Sequence, residues 1–553
     1  MATIWQAVVV VDGVDMSESI TGGISVEAEE SAARIASFSM RPPSGTVSAG
    51  DWLGVSVSID YKTLNSSGIV LTQDRIFTGV VDQAIYDPTI ELTRFDCTDD
   101  MQNKFESMTQ AAIDALITGS RWSEAVFGEY QDGWLYLENL LESAPQAFDY
   151  NADGVTGTLA NWAAKSIADF SFDTGSIFTD SINYSLAPRR ELFNETTITY
   201  DYRFRRLKHR EHDFSWSFAV SIPFWTFCTY YADAHEMPTR EMVISAASGA
   251  GWKVQTPFQF GVPPESGVMC GGVWIISDEL RQTLITAASW TAIKRWTQEV
   301  TETYTLTVNS PQSKAWLGTV AMDEVASNQT ETDSEVWDEG IDTPIGARTD
   351  SQNDLVFDKV DRTVSDNDME TLIARARTEI LSLHRGNWVE GIVELTPTNE
   401  RYHTVDLDGG NVRGKGKVTR LIHEMNSDTG AAVTHIRVAV SLNGGLGADV
   451  DSTIEAPAAP DTDPATAAPT STTSLPTYIG GKTGSATYDP DWTGFMGNDV
   501  PFDGGVTDDQ IYPRRFRVDT PSVDQTAIDA ASGDATGTYS FNIPNETLTI
   551  TVP

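Results

Sequence analysis

The stretch GKGKVTRLIHEMNSDTGAAVTHIRVAVS, residues 414–441, decides the fold class. Val418 and Ile422 precede a turn carrying Asp428 and Gly430. Ile436, Val438 and Val440 then alternate with His435, Arg437 and Ala439. Alternation at period two builds a hairpin with one buried face, so Val418, Ile422, Ile436, Val438 and Val440 are expected to close the core of a last β domain. The alternation stops after Val440. A Pro/Ala/Thr stretch follows, APAAPDTDPATAAPTSTTSLP at 456–476, which cannot build a core of its own. The folded part is therefore expected to end near residue 445, with a flexible linker and an extended or peripheral module beyond it.

Working back from the hairpin, most of the chain reads as strand. AVVVVDGVDM, GGISVEAE, ARIASFSMR and VSVSI lie in the first sixty residues, and RIFTGVVDQAIYDPTIELTRFDCTDD (75–100) supplies two strands joined around Asp87-Pro88. TTITYDYRFRRLKHR (196–210) and DFSWSFAVSI (213–222) continue the pattern. A long strand is expected over 293–308 and another in WVEGIVELTP (388–397). Helical spacing appears in MQNKFESMTQAAIDALI, in GTLANWAAKSIADF (stripe Leu159, Trp162, Ala163, Ile167), in PTREMVISAA, in SDELRQTLITAASWTA capped by Ser277, and in DMETLIARARTEILSLHRGN, which stops near Gly386. Residues 325–360 read as an acidic exposed loop.

The expected organisation is mainly β with α+β insertions, multidomain, with small β-barrel-like or sandwich domains. An N-terminal β domain covers 1–97, a helical and loop insertion 98–190, and an α+β middle domain 191–325. An acidic loop and helix follow at 326–386, a β-barrel-like domain at 387–445, the linker at 446–478 and a Gly/Asp-rich module at 479–553.

The 553 residues carry a net charge of −42, which argues against a non-specific nucleic-acid binder. Cys97, Cys228 and Cys270 are too dispersed for a disulfide framework. No signal peptide and no membrane span is read from the sequence. DYNADG (149–154) places Asp149, Asn151, Asp153 and Gly154 at calcium-loop spacing, but Ala160 stands where a bidentate Glu is needed. An Asx-rich turn explains it without an ion. His209 and His212 lack a metal-site partner set, and His423 and His435, roughly opposite each other across the hairpin, lack a third ligand. HExxH, GxSxG and a Walker A loop are missing. The expectation is no cofactor, no metal and no catalysis.

RFRRLKHR (203–210) is the strong basic run of an acidic chain. Arg203, Arg205, Arg206, Lys208 and Arg210 read either as a surface strand answering neighbouring acids or as a stripe meeting an acidic partner or passing DNA. Trp492, Phe495 and Phe502 are candidates for stacking on a sugar or tucking against the β core.

Three segments together resemble tail hub proteins of long-tailed bacteriophages. The first is the hairpin with Phe77, Thr78 and Gly79 leading to Cys97, Asp99 and Asp100. The second is Leu280 to Val308, and the third runs from GNWVEGIVELTP through the opening hairpin, with Val412, Gly414, Lys415, Gly416 and Val418. The resemblance spans roughly 1–445. It implies a homotrimeric baseplate hub at the virion tail tip, made in the host cytoplasm. Its partners would be a distal tail protein, a tape-measure protein and a tail fibre or receptor-binding protein, with DNA passing only transiently. Some members hold an iron–sulfur cluster by cysteines, a pattern from which this chain departs. A carbohydrate- or receptor-binding adhesin and a tail-associated hydrolase are the competing readings.

Overall fold

A computed structural model describes residues 4–42, 49–117, 119–154, 158–178, 180–217, 240–249, 251–255, 259–262, 266–269, 272–275, 287–329, 347–350, 354–358, 362–463 and 529–552. The fold is mainly β, and among the described residues it is organised as two large sheets and two small two-stranded ones. Among the described residues no helix is long and apolar enough to cross a membrane.

The expected hairpin is present, as strands Val412–Asn426 and Ala431–Val440. It sits inside a fourteen-stranded sheet. On one side Ala431–Val440 pairs with Asn387–Glu394. On the other, Arg420–Asn426 pairs antiparallel with Gly23–Glu29, which leads through Ile35–Met40 to Leu92–Thr98, Val70–Asp87, Ser56–Leu64 and Ile4–Val11. The first hundred residues and the last β unit thus share one hydrogen-bonded sheet. Each end has its own core: Phe38, Ile59, Phe77 and Phe95 at one, Val389, Leu407, Ile436, Val438 and Val440 at the other.

Ile422 is a correction. It is half-buried, and Leu421 is fully buried in its place. The register slips between Val418 and Arg420, so an extra residue exchanges the faces beyond it. Val412, Gly414, Gly416 and Val418 face inward, then Leu421, His423 and Met425.

The second sheet is built on a ribbon. Glu195–Ser217 pairs antiparallel with Ala287–Asn309 along all 23 residues of each. The helix Arg362–His384 lies on it, packing Met369, Leu372, Ile373, Ala376 and Ile380 against Ile198, Tyr200, Tyr202, Tyr304 and Leu306. That spacing of three and four is a helix's apolar stripe meeting a strand's alternating face.

Several expectations fail here. GTLANWAAKSIADF is no helix: Thr158–Asn161 is a strand paired with Gln146–Asp149. Beyond it the Ala164 and Lys165 amides donate to Glu546 Oε1 (2.7 Å) and Thr404 Oγ1 (3.0 Å). Tertiary partners take the amides a helix would use, and Ile167 is left exposed. The ribbon's second strand begins at Ala287, so the end of the expected Ser277 helix is extended; Ser277 itself lies outside the described residues. Nor is 325–360 a single loop, since Ala321–Gln329 pairs parallel with the ribbon and Leu355–Asp358 pairs with it antiparallel.

The largest correction concerns the C-terminus. Ala531–Ser540 pairs parallel with Val300–Asn309, and Thr547–Ile550 pairs with Val412–Lys415. Tyr539, Phe541 and Ile543 are buried against the ribbon and the long helix. Ile454 and Ala456 pack there too, at the start of the expected linker. The chain returns and completes both sheets; it does not leave near residue 445.

Candidate functional site

The basic run occupies the middle of the ribbon, where even-numbered side chains continue the face that Ile198, Tyr200, Tyr202 and Phe204 begin. On that face Arg206, Lys208 and Arg210 are buried. Arg210 forms a two-point pair with Asp354, Nε to Oδ1 2.6 Å and Nη2 to Oδ2 2.7 Å. Lys208 Nζ lies 3.5 Å from Asp350. Arg206 donates to Asp358 at 2.6 Å, to Asp463 at 2.9 Å and to Thr462 Oγ1 at 2.7 Å. Asp463 also pairs with Arg348.

Burial pushes the Asp354 carboxyl above its ordinary range despite Arg210. Burial also pushes on Asp463, but the hydrogen bond from Arg348 and the charges of Arg206 and Arg348 outweigh it and hold that carboxyl low. The cations thus join the ribbon to Asp350, Asp354 and Asp358 and to Thr462 and Asp463. Reading Arg206, Lys208 and Arg210 as an open stripe for DNA or an acidic partner is corrected, because their charge is spent inside the chain. Arg203 and Arg205 are on the opposite face, beside Asp201 (3.5 Å) and Glu299 (4.0 Å). Trp492, Phe495 and Phe502 lie outside the described residues.

A serine–histidine pair escaped sequence reading because its members are 71 residues apart. Ser313 Oγ is 2.7 Å from His384 Nε2, and His384 Nδ1 is 2.9 Å from the Ile380 carbonyl. The Nδ1–H donor leaves Nε2 to accept from the hydroxyl, a nucleophile–base arrangement. Both residues have no exposed surface, so the pair ties the long helix to Pro311–Leu317.

Among the described residues no three His, Cys, Asp or Glu gather as a metal site. His423 faces Thr434 and His435 faces Ile422, so the two histidines point to opposite sides of the sheet. In the DYNADG loop the Tyr150 carbonyl accepts from Arg401 and the Gly154 carbonyl from Tyr150 Oη. Cys97 is buried, its thiol pushed up to about 12 by burial and then by Asp96 and Asp82; Cys228 and Cys270 lie outside the described residues. An open groove of about 450 Å³ runs beside Trp5, Ile20, Ile24 and Met425.

No family model and no curated protein matches this chain. Among solved structures it is similar to a tail protein from Neisseria meningitidis MC58, at 9% identity and TM-score 0.36, covering 79% of this chain and 96% of that one. It is similar to the 43 kDa tail protein of prophage MuSo2 from Shewanella oneidensis, at 9% and 0.34, covering 79% and 98%. A third is prophage tail protein gp18 from Listeria monocytogenes EGD-e, at 9% and 0.32, covering 78% and 94%. Each of the three is a tail protein.

Proposed function

We propose that this chain is a virion structural protein: a subunit of a homotrimeric hub that closes the distal end of a phage tail tube. It links the tube, through a distal tail protein and a tape-measure protein, to a fibre or receptor-binding component, and it opens when DNA passes. Its work is assembly and conformational change, without bond chemistry. The observation that carries this reading is the position of the segments that resemble tail hubs. Residues 75–100 and 387–441 supply strands of the first sheet, and 287–308 forms one side of the ribbon. All three build the frame, and the charged residues nearby are spent on holding the chain to itself.

Mass photometry of the full chain, alone and with tail partners, tests the reading. A trimer is expected, and in electron micrographs of the native particle it occupies the tail tip. A monomer that persists with every tail partner present overturns it.

A further inference from the structure

Where the last β unit meets the insertion lies a cavity of about 20 Å³, room for one ligand of water size. Glu30, Phe148, Arg385, Arg401, Tyr402 and Lys417 are in its wall. Five parts of the chain meet there: the end of the Gly23–Glu29 strand, the paired strands Gln146–Asp149 and Thr158–Asn161, the end of the long helix, the segment carrying Arg401 and Tyr402, and the Val412–Asn426 strand.

Three of these side chains are cationic, and each is at least nine-tenths buried: Arg401 is 4% exposed, Lys417 6% and Arg385 9%. Arg401 donates to the Glu29, Ala32 and Tyr150 carbonyls, whereas Lys417 and Arg385 keep donors in reserve. The Lys417 ammonium has three hydrogens; it donates to the Tyr402 carbonyl at 2.9 Å and to no other described residue. Arg385 Nη1 donates to Glu30 at 2.6 Å, and its guanidinium stacks over Trp162 at 5.1 Å. Its buried Nε–H has no acceptor among the described residues. Glu30 is the acid of the wall. Two further carboxylates that act on Lys417 have their oxygens engaged elsewhere: Glu546 by the Ala164 and Ser441 amides, Asp169 by Lys165 and the Thr404 amide.

Buried donors without acceptors are costly, and buried charge more so. A void for one small ligand beside two such cations is where the missing acceptor belongs. We infer that this cavity binds a monatomic halide anion, chloride in the cell, held by Lys417 and Arg385. Burial pushes the Lys417 ammonium's pKa down, with Lys165 adding to the effect and Asp169 and Glu546 opposing it. A bound anion works against that loss. It also bridges the Val412–Asn426 strand and the end of the long helix.

Crystals of the full chain soaked in sodium bromide and measured at the bromine edge should show an anomalous peak in the cavity, within about 3.5 Å of Lys417 Nζ. In solution, the full chain should melt about 1–3 °C higher in sodium chloride than in sodium gluconate at equal ionic strength. That difference should vanish in Lys417→Met. If that variant does not fold, the bromide peak in the unsubstituted chain decides. A cavity holding only water in bromide, with equal melting in both salts, overturns the proposal. So does a chloride effect that survives Lys417→Met without a cavity peak.

Discussion

Arg210 and Asp354 meet edge to edge through two hydrogen bonds, with the guanidinium 5% exposed and the carboxylate not at all. Breaking one half strands the other charge in the interior. Arg210→Met is expected to cost about 3–5 kcal/mol, read as a lowered melting temperature. The double variant Arg210→Met/Asp354→Leu should recover most of that loss. A single variant as stable as the parent would mean that the pair is solvated.

His423 sets a pH dependence. Burial pushes its imidazole down to about 3 from 6.5, helped by the charge of Arg34. The unfolded chain therefore takes up a proton first as pH falls. This contribution to stability is complete above about pH 6.5 and drains toward pH 3, at up to about 1.4 kcal/mol per pH unit. Burial lowers His384 and His403 in the same direction, whereas the raised carboxyls of Asp99 and Glu546 carry the opposite sign. His423→Gln should flatten the fall in melting temperature between about pH 6.5 and 4. An unchanged slope would sink the assignment.

The returning C-terminus makes truncation harmful. Phe541 is 2% exposed within the ribbon core, and Phe541→Ala should cost about 3–5 kcal/mol. A chain ending after Ser441 should expose the ribbon's Val300–Asn309 edge and aggregate, scored by light scattering. A soluble truncated oligomer with unchanged melting would show that the return is dispensable.

Two glycines of the same hairpin should answer differently to alanine. A methyl on Gly416 would overlap the Ala439 carbonyl of the paired strand, so Gly416→Ala must break the pairing and lose the native near-ultraviolet spectrum. Gly430 has open space around it but φ +70°, so Gly430→Ala should cost about 1–2 kcal/mol and keep the fold. Equal losses at both sites would count against the close strand approach at Gly416.

The hairpin, the ribbon's first strand and the long helix were legible because their apolar periods agree with their surroundings. Ile422 was misplaced because one bulge at Thr419 reverses parity, and periodicity cannot see an inserted residue. Leu159, Trp162 and Ile167 have helical spacing, yet Thr404 and Glu546, more than two hundred residues away, take the amides. Asp354 and Arg210 are separated by 144 positions, so the run RFRRLKHR gave no sign that its acids were already supplied. The end of the chain misled for the same reason: short strands such as Ala531–Ser540 carry meaning only beside the ribbon they join.

The pairing of Gly23–Glu29 with Arg420–Asn426 has a consequence for synthesis. On the ribosome the first strand appears about 400 residues before its partner, and at about 5–20 residues per second that interval is some 20–80 seconds. Throughout it the nascent N-terminal unit presents a bare strand edge, with Val26 and Ile24 beside it, to any other chain. Fast translation, low temperature and chaperone supply should therefore govern the soluble yield more strongly than the stability of the finished protein does.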